Sequence, residues 1–326
     1  SGIHGIAHDS AGSFYSVGSS LENVEFSAPG IFTKINQQGN FLFEKYYYYS
    51  DQTYFRDIKP TLDGNFIIGG NISGCDFGIS SGLILKINPN GDTLWTRLIN
   101  PQQIGLIADN QCRSVAVLPD GNAIFVSDTT LYVFDSTGDS LFTFLSNEHF
   151  TSVSGGFDST ILCGNQQGLL ILNSSGQLIN QITFPSSIGY IRLLQDSTLL
   201  LLTGNSLIKV DSTFNFLNQL DLSTINFSGA DVLVESGTIW LKKSQDSAFA
   251  ALDLNLQLIN SFSTQASSVN STSFAIVDST IMVGGTESDV KNHCYLKAYS
   301  TTGNTTYYSS DLTLTNVGFD TAYVAH

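Results

Sequence analysis

The segment Gly82–Arg97, GLILKINPNGDTLWTR, predicts a β-hairpin. Leu83, Leu85 and Ile87 occupy alternate positions, a polar Asn-Pro-Asn-Gly turn follows them, and a second apolar run begins directly after the turn. Asn and Gly tolerate positive φ, so the Asn90-Gly91 pair between two β-rich runs is a strong hairpin signal. Versions of this hairpin recur along the whole chain, and their recurrence determines the fold.

A second marker, a tight turn followed at once by an apolar strand, alternates with the hairpin; one example is Asp63-Gly64-Asn65 before FIIGG. The turns lie at 11–13, 63–65, 120–122, 158–160, 196–198, 236–238 and 278–280, and the hairpins begin at residues 31, 82, 131, 169, 207, 249 and 295. Each marker occurs seven times, so each unit supplies four strands. Four short antiparallel strands per unit of roughly 40 to 55 residues are typical of a propeller blade. The sequence therefore predicts an all-β, seven-bladed β-propeller of four-stranded antiparallel blades.

The combination DGNFIIGGN…GLILKINPNGDTLW resembles the β-propeller repeats of secreted and surface proteins of the Bacteroidota. Those proteins are often cargo of the type IX secretion system, so the resemblance implies a secreted or cell-surface location. It covers nearly the whole chain and specifies the fold far more than a function. Blades 4 to 6 depart from it, because they lack the Asp-Gly-Asn turn and carry degenerate hairpins.

Composition bounds the function. The chain has 326 residues, and its 13 Lys and Arg against 28 Asp and Glu give a net charge of −15. Nucleic acid is an unsuitable partner, because binding to phosphates requires clustered Lys and Arg. No run approaches the ~18 apolar residues that a membrane helix needs, so no membrane insertion is expected. We expect a single propeller domain over 1–326, with 313–326 either closing the ring against blade 1 or beginning a linker.

The cysteines and histidines carry little chemistry. Cys75 and Cys112 fall in loops at the edges of successive repeats and could form a disulfide, whereas Cys163 and Cys294 lie in predicted strands as small buried side chains. No zinc-ligand spacing, P-loop or nucleophile motif is present, so we expect no metal, cofactor or catalytic residue that the sequence can name. Trp95 and Trp240 are predicted to be core residues.

The strands of each blade are lettered a to d from the channel outwards. Because they alternate in direction, the a–b and c–d turns share one face, the short-turn face, and the b–c and d–a connections share the other, the long-loop face. The long-loop connections are extended in blades 7 and 1 and around blades 2 and 3. Binding residues concentrate in variable loops on a rigid scaffold, so a protein or glycan partner is expected on this face. The alternative is that these are tolerated insertions.

Aligning the blades on their a–b turns places one residue per blade at the channel mouth of the long-loop face. These residues are His4, Arg56, Arg113, Thr151, Gly189, Gly229 and Ser271. We predict His4, Arg56, Asp57 and Arg113 as ligand-binding residues, with the paired guanidiniums holding a carboxylate, a sulfate or a sugar acid. The alternative is that Arg56 pairs with Asp57 or nearby backbone as a structural residue.

Three functions remain open. The first is a non-enzymatic extracellular propeller that binds a protein or a glycan as a module of a secreted or surface assembly. The second is a glycan hydrolase or lyase with its site at the channel mouth, for which the sequence offers only His4 and two arginines. The third is a structural spacer. The absence of a converging acid and base favours the first.

Overall fold

The chain folds into seven four-stranded antiparallel sheets arranged in a ring, so the predicted seven-bladed β-propeller is confirmed. The structure is a computed structural model, and it describes residues 2–20, 28–37, 40–74, 80–99, 111–243, 248–263, 269–278, 280–287, 293–301 and 306–311. In every blade the strands pair in the order of the sequence, so each blade is one continuous piece of chain.

The strands are numbered along the chain, four to a blade. Blades 1 to 3 comprise β1 (Gly2–His8), β2 (Phe14–Ser19), β3 (Gly30–Ile35), β4 (Phe41–Tyr47), β5 (Gln52–Pro60), β6 (Phe66–Ser73), β7 (Ser80–Ile87), β8 (Thr93–Ile99), β9 (Ser114–Val117), β10 (Ala123–Val126), β11 (Thr130–Phe134) and β12 (Ser140–Leu145). Blades 4 and 5 comprise β13 (Phe150–Gly155), β14 (Ile161–Asn165), β15 (Gly168–Leu172), β16 (Leu178–Thr183), β17 (Ile188–Leu193), β18 (Leu199–Thr203), β19 (Ser206–Val210) and β20 (Phe216–Asp221). Blades 6 and 7 comprise β21 (Ala230–Glu235), β22 (Thr238–Lys243), β23 (Ala248–Leu252), β24 (Leu258–Ser263), β25 (Val269–Val277), β26 (Thr280–Glu287), β27 (His293–Ser300) and β28 (Thr306–Asp311). Short 3-10 segments lie at Phe157–Ser159 and Leu222–Ile225.

The core lies between blades. Seven clusters of buried hydrophobic side chains fill the seven interfaces between neighbouring blades. The cluster that joins the two ends of the chain packs Ile3 and Phe14 of blade 1 against Ala275 and Met282 of blade 7. The described residues thus bring the last blade against the first. The predicted role of 313–326 in closure lies outside the described residues and stays a prediction.

The opening hairpin turns through the five residues 88–92, and the backbone N–H of Asn88 donates to the Asp92 carbonyl at 3.0 Å. The Asn88 side-chain oxygen accepts hydrogen bonds of 2.9 Å from the backbone N–H groups of Asn90 and Asp92. Gly91 alone has positive φ, at +80°, and the ladder shifts register just after it. The hairpin was therefore predicted correctly but for a partly wrong reason. Only the glycine of the Asn-Gly pair needs the left-handed region, and Asn88 organises the turn.

The fourth residue of the c–d turn packs on the preceding blade, and this contact explains the degenerate hairpins. A Cβ added to Gly138 or Gly176 would lie 2.7 Å from the Trp95 ring or 2.4 Å from the Phe142 ring. Blades 5 and 6 reverse the arrangement: Phe214 and Leu256 occupy the same turn position with φ of 63°. The preceding outer strands there carry asparagine, Asn180 and Asn218, in place of the large aromatic ring.

Each outer strand bulges at one residue near its beginning, so its free edge is interrupted. The bulged residues of blades 1 to 6 are aliphatic and about half exposed: Leu42, Leu94, Leu141, Ile179, Leu217 and Ile259. A bulge twists a strand and prevents regular pairing with another edge. The exposed aliphatic side chains around the rim therefore accompany an edge that is protected against strand addition.

The predictions for the cysteines and tryptophans have mixed outcomes. Cys163 is buried as expected, whereas the side chain of Cys294 lies outside the described residues. Trp95 and Trp240 are only partly buried, so the prediction that they are core residues was too strong; Trp95 instead covers the next blade's turn and donates to the Ser136 carbonyl at 3.1 Å. Within the described ranges, no helix is both long and apolar enough to cross a bilayer.

Candidate functional site

A repeated bulge in the inner strands builds the channel mouth. The ladder between strands a and b shifts register at His4, Arg56, Thr151 and Gly189, which are four of the residues that sequence alignment placed at the mouth. In blade 7 the bulge falls at Thr272, one residue beyond the aligned position. A bulge leaves its extra residue unpaired and re-aims the side chain, so the mouth is lined by residues that the sheet does not constrain.

Arg56 and Arg113 are both exposed cations of this ring, and they differ in their partners. The Nε of Arg56 donates to the Asn71 Oδ1 at 3.3 Å, and its guanidinium carbon lies 5.9 Å from the centroid of the Tyr54 ring. Asn71 is buried on β6, with 4% of its surface exposed. In the part of the chain that the structure describes, no carboxylate forms an ion pair with Arg56. The guanidinium is thus held from one side by an uncharged partner.

His4 lies beside Arg56 and is held neutral. Burial lowers the pKa of its imidazole, and the positive charge of Arg56 lowers it further, to about 4. The ring is therefore uncharged at neutral pH and offers one donor and one acceptor nitrogen. Blades 1 and 2 are close at the mouth, as predicted. There they contribute one cation, Arg56, and one neutral imidazole, His4, rather than two cations.

Asp57 joins two blades. Its Oδ1 accepts from Lys59 Nζ at 2.6 Å, while its Oδ2 accepts from the backbone N–H of Val115 at 3.0 Å and from Ser114 Oγ at 3.3 Å. These contacts link strand a of blade 2 to strand a of blade 3. The alternative in which Arg56 pairs with Asp57 is not what the structure contains. The predicted ligand-binding role of Asp57 has no direct test, and its carboxylate already accepts from four neighbouring groups, the fourth being the backbone N–H of Ile58 at 2.9 Å.

The residue after the bulge makes a comparable contact in blade 4. Ser152 Oγ donates to the Ile188 carbonyl of blade 5 at 2.8 Å. The bulged Thr151 donates to the same carbonyl through its Oγ1, at 2.6 Å. In blades 2 and 4 the residue after the bulge thus ties its blade to the next, and in blade 4 the bulged residue shares this role.

Arg113 is engaged by a carboxylate. Its Nε and Nη2 donate to one oxygen of Asp128, at 2.9 and 2.6 Å. The same oxygen lies 3.9 Å from Nδ1 of His149, on the connection to blade 4. Asp128 is largely buried and neutralises Arg113 locally. The predicted pair of guanidiniums therefore reduces to Arg56, with Arg113 as part of a separate ion pair.

The mouth is open on the side away from Arg56. A Cβ added to Gly189 in blade 5, or to Gly229 before blade 6, would meet no atom within 4 Å. Gly229 needs its positive φ of 68°, whereas Gly189 does not adopt the left-handed region. The chain therefore places its cation on one side of the channel and leaves space on the other.

Several site residues were not predicted from the sequence. Asn71 and Tyr54 support Arg56, and Asp128 neutralises Arg113. The pairing of Tyr54 with Asn71 follows from the a–b register, which an alignment of the turns would have supplied. The predicted long loops lie largely outside the described residues, so the loop surface stays a prediction. Cys75 also lies outside them, but Cys112 is a buried free thiol, so the structure does not bear out the predicted Cys75–Cys112 disulfide. No cluster of three or more metal-ligating side chains occurs among the residues described.

Comparisons with known proteins define the class of fold. No protein-family model matches the chain, and no curated protein matches it significantly. The chain is similar in structure to virginiamycin B lyase from Staphylococcus aureus, with a TM-score of 0.65 and 14% identity over 86% of this chain and 91% of the lyase. It is similar to the Neurospora crassa Pan2 WD40 domain, with a TM-score of 0.59 and 10% identity over 86% of this chain and 85% of that domain.

A third similar structure is a protein of unknown function from Bacteroides caccae, with a TM-score of 0.51 and 14% identity over 75% of this chain and 92% of that protein. At such identities the likeness shows the fold alone. The chain is therefore a seven-bladed β-propeller, and the solved structures similar to it include both an enzyme, virginiamycin B lyase, and a WD40 domain.

Proposed function

We propose that this propeller is a non-enzymatic binding module that recognises an acidic group of a glycan or a protein at the channel mouth of its long-loop face. The observation that carries the proposal is Arg56. It is an exposed guanidinium at a re-aimed position, and no described carboxylate pairs with it. In a chain with a net charge of −15, such a cation is a local exception.

The contacts of Arg56 suit it to bind an anion. Because Asn71 accepts from Nε, the guanidinium plane is oriented while the two Nη groups point away from that hydrogen bond. Arginine binds carboxylate and sulfate best through two parallel N–H donors, which an oriented plane presents without further loss of side-chain freedom. The uncharged Asn71 leaves the positive charge available to the ligand.

The remainder of the mouth suits a polar ligand larger than one anion. Neutral His4 can exchange hydrogen bonds with hydroxyl groups, and the open side at Gly189 provides room for further sugar rings or for a peptide. A sugar acid within a glycan combines all of these groups. The exposed Tyr48 lies on the neighbouring connection of the same face, where aromatic side chains can pack on a sugar.

The test measures binding of oligogalacturonate, an acidic glycan, beside a neutral oligosaccharide of matched length. Arg56→Ala should weaken binding by roughly tenfold or more, since a charge-assisted hydrogen bond contributes about 1.5–3 kcal/mol. Arg97→Ala is the matched control, because that arginine pairs with Asp139 on the outer rim, at 3.2 Å. Arg113→Ala should weaken binding less than Arg56→Ala. Equal binding by wild type and Arg56→Ala would refute the proposed anion site.

The open side of the mouth gives a second test. Gly189→Phe introduces a ring where a Cβ meets no neighbour, so the fold should persist while entry of the ligand is obstructed. Loss of binding with an unchanged unfolding transition supports a ligand that spans the mouth. Full binding by Gly189→Phe would instead confine the ligand to the outer loops.

An enzymatic function is the second candidate, and one observation favours it. A neutral imidazole beside a guanidinium can accept the proton from a carbon next to a carboxylate that the guanidinium holds. The electron pair of that C–H bond then forms the new C=C bond, the glycosidic C–O bond on the adjacent carbon breaks, and the departing oxygen takes a proton from water. The likeness to virginiamycin B lyase shows that a propeller of this shape is compatible with lyase chemistry in that protein. Release of unsaturated products from oligogalacturonate, and its loss in His4→Ala, would favour the enzyme. Binding without product would favour the module.

We further propose that the protein acts outside the cell, as a module of a secreted or surface assembly. The support is the likeness of its repeats to secreted propellers of the Bacteroidota and the low lysine content. Fractionation of cells that produce the native protein tests this location. Recovery only from the cytoplasm would contradict it, and a cargo role for the type IX system requires release that depends on that system.

A further inference from the structure

An ion pair connects two blades that are not neighbours in the ring. His8 is the last residue of β1 in blade 1, and Glu235 is the last residue of β21 in blade 6. The His8 Nε2 lies 3.3 Å from the Glu235 Oε2, although blade 7 separates the two blades in the chain's circular order. The contact lies at the short-turn end of the inner strands, away from the mouth at Arg56.

The hydrogen-bond partners of His8 select its charged form. The Nδ1 faces the backbone carbonyl of Asp9 at 3.2 Å, and the Nε2 faces a carboxylate. Both partners accept hydrogen bonds, so both ring nitrogens must carry a proton for both bonds to form. A neutral imidazole has one N–H and must give up one of the two contacts. Proton loss from His8 therefore weakens the connection between blades 1 and 6.

The charged groups around the pair reinforce this dependence. Asp9, beside His8, adds negative charge and receives a hydrogen bond from Tyr15. Arg192, on strand a of blade 5, acts on Glu235 with its positive charge, and Ser236 donates to the other oxygen of Glu235 at 3.3 Å. The hydrogen bond between His8 and Glu235 is the largest of these effects: it raises the pKa of His8 and lowers that of Glu235, and Asp9 and Arg192 act in the same directions.

Blade 7 is the segment that this pair encloses. Its inner strand, β25, packs between β1 and β21, and Val277 near its end contacts the cluster shared with blade 1. A neighbouring contact on the same face joins blade 1 to blade 7, since Gln37 Nε2 donates to Asp278 Oδ2 at 2.7 Å. In the described residues, the ring closes by packing between whole blades. A bond from blade 1 to blade 6 thus adds a closure that spans the last blade.

We propose that His8 and Glu235 form a pH-sensitive latch that closes the ring across blade 7 and loosens when His8 loses its proton. The direction of the pH dependence follows from the pKa shifts of both groups. The hydrogen bond from Glu235 is the largest effect on His8 and raises its pKa, so this stabilisation is complete below the unfolded pKa of about 6.5 and is lost as pH rises through the folded value. The hydrogen bond to His8 lowers the pKa of Glu235, so its contribution is lost only as pH falls below about 4.3. The latch is therefore closed in mildly acidic solution and loosens towards alkaline pH.

Hydrogen exchange followed by mass spectrometry tests the latch on the full chain. Exchange is measured from pH 5 to 9 in wild type, Glu235→Gln and His149→Gln. The rates are corrected for the pH dependence of intrinsic amide exchange. In wild type, opening of β25 and β26 should increase by about two- to fivefold as His8 deprotonates, the range expected for a partly exposed ion pair. Glu235→Gln should open to that extent already at pH 5 and respond little to pH.

His149→Gln is the control, because His149 approaches Asp128 between adjacent blades 3 and 4. It should keep the wild-type response in blade 7, and blade 4 should show no matching change in either variant. The His8 ring is titrated in parallel by NMR, and its pKa should fall in Glu235→Gln. An equal pH response of β25 and β26 in wild type and Glu235→Gln would overturn the latch. So would a His8 pKa that depends on Glu235 while the protection of blade 7 does not.

Discussion

Replacing Gly176 by alanine tests the contact by which one blade's turn packs on the preceding blade. Gly176 has φ of +83°, and an added Cβ would lie 2.4 Å from Cδ2 of the Phe142 ring. The left-handed conformation costs a residue with a Cβ about 1–2 kcal/mol, of which the lower entropy of the unfolded alanine chain returns about 0.4–1 kcal/mol. Displacing the packed ring adds about 1–3 kcal/mol. We therefore expect Gly176→Ala to lower the free energy of unfolding by about 2–4 kcal/mol.

The chain supplies a matched control for this change. Gly64 has φ of +77° in the a–b turn of blade 2, and a Cβ there would meet no atom within 4 Å. Gly64→Ala therefore incurs the backbone cost alone, about 0.5–1 kcal/mol after the entropy correction. The difference between the two variants measures the contact between blades, because the backbone conformations are nearly the same.

Urea unfolding followed by circular dichroism gives both free energies, together with the slope against urea. Placing Gly176→Ala in a Phe142→Ala background should reduce its additional cost to that of Gly64→Ala, since the ring is then absent. Equal costs for Gly176→Ala and Gly64→Ala, within about 0.5 kcal/mol, would refute the packing argument. The same result would remove the explanation for the phenylalanine and leucine that replace this glycine in blades 5 and 6.

Three further outcomes are expected. Ser197→Gly, at φ of 56° on an exposed turn, should stabilise the protein by about 0.5–1 kcal/mol in thermal and urea unfolding, and a loss of stability would contradict the strain assigned to this serine. Asp63→Asn should destabilise by about 1–3 kcal/mol, because Lys86 Nζ is buried and lies 2.7 Å from the Asp63 carboxylate. Burial raises the pKa of Asp63, but hydrogen bonds from Lys86 and two neighbours lower it further, so the net shift is downward. The stabilisation from Asp63 is therefore present above its unfolded pKa of about 3.9 and is lost on acidification. The free energy of unfolding in urea should fall less steeply with decreasing pH in Asp63→Asn than in wild type, and an unchanged pH dependence would refute the coupling. Asn71→Ala should weaken oligogalacturonate binding about three- to tenfold, and Asn71→Asp more, because a carboxylate there would neutralise Arg56; tighter binding by Asn71→Asp would exclude the anion site.

The blade count and the faces of the disc could be predicted because they depend on local, repeated chemistry. An Asp or Asn begins the turn in six of the seven hairpins, and in the described turns of blades 2 to 6 a residue with positive φ stands near the end. The identity of the left-handed residue was less predictable. Phe214 and Leu256 do not favour that conformation, and only the asparagines at the facing positions of the preceding blades explain them.

The candidate site was predictable in position but not in charge. Alignment of the turns placed Arg56 and Arg113 at equivalent points of the mouth, and the structure gives them different partners. Arg113 meets Asp128, fifteen residues along the chain in the next connection of its own blade, whereas Arg56 meets the neutral Asn71 at the same separation. Each partner comes from the end of strand b or the connection after it, where the repeats are least alike. A repeat alignment therefore locates the side chains and leaves their electrostatic partners undetermined.

The repeated bulge explains how a propeller can change its site without changing its ring. In an unbroken strand, a residue that borders the channel is also paired in the ladder, so its substitution disturbs the sheet. Here the bulge separates the two tasks. The unpaired residue, Arg56 or Gly189, borders the channel, while Asp57 and Ser152, which follow the bulges, bond to the next blade. Blade 4 is an exception in part, because its bulged Thr151 also donates to the next blade. Substitution at the bulge should then alter recognition with little effect on stability, and substitution one residue later should do the reverse. Arg56→Ala and Asp57→Ala, compared by ligand binding and urea unfolding, measure this division directly, and equal losses of stability in the two variants would contradict it.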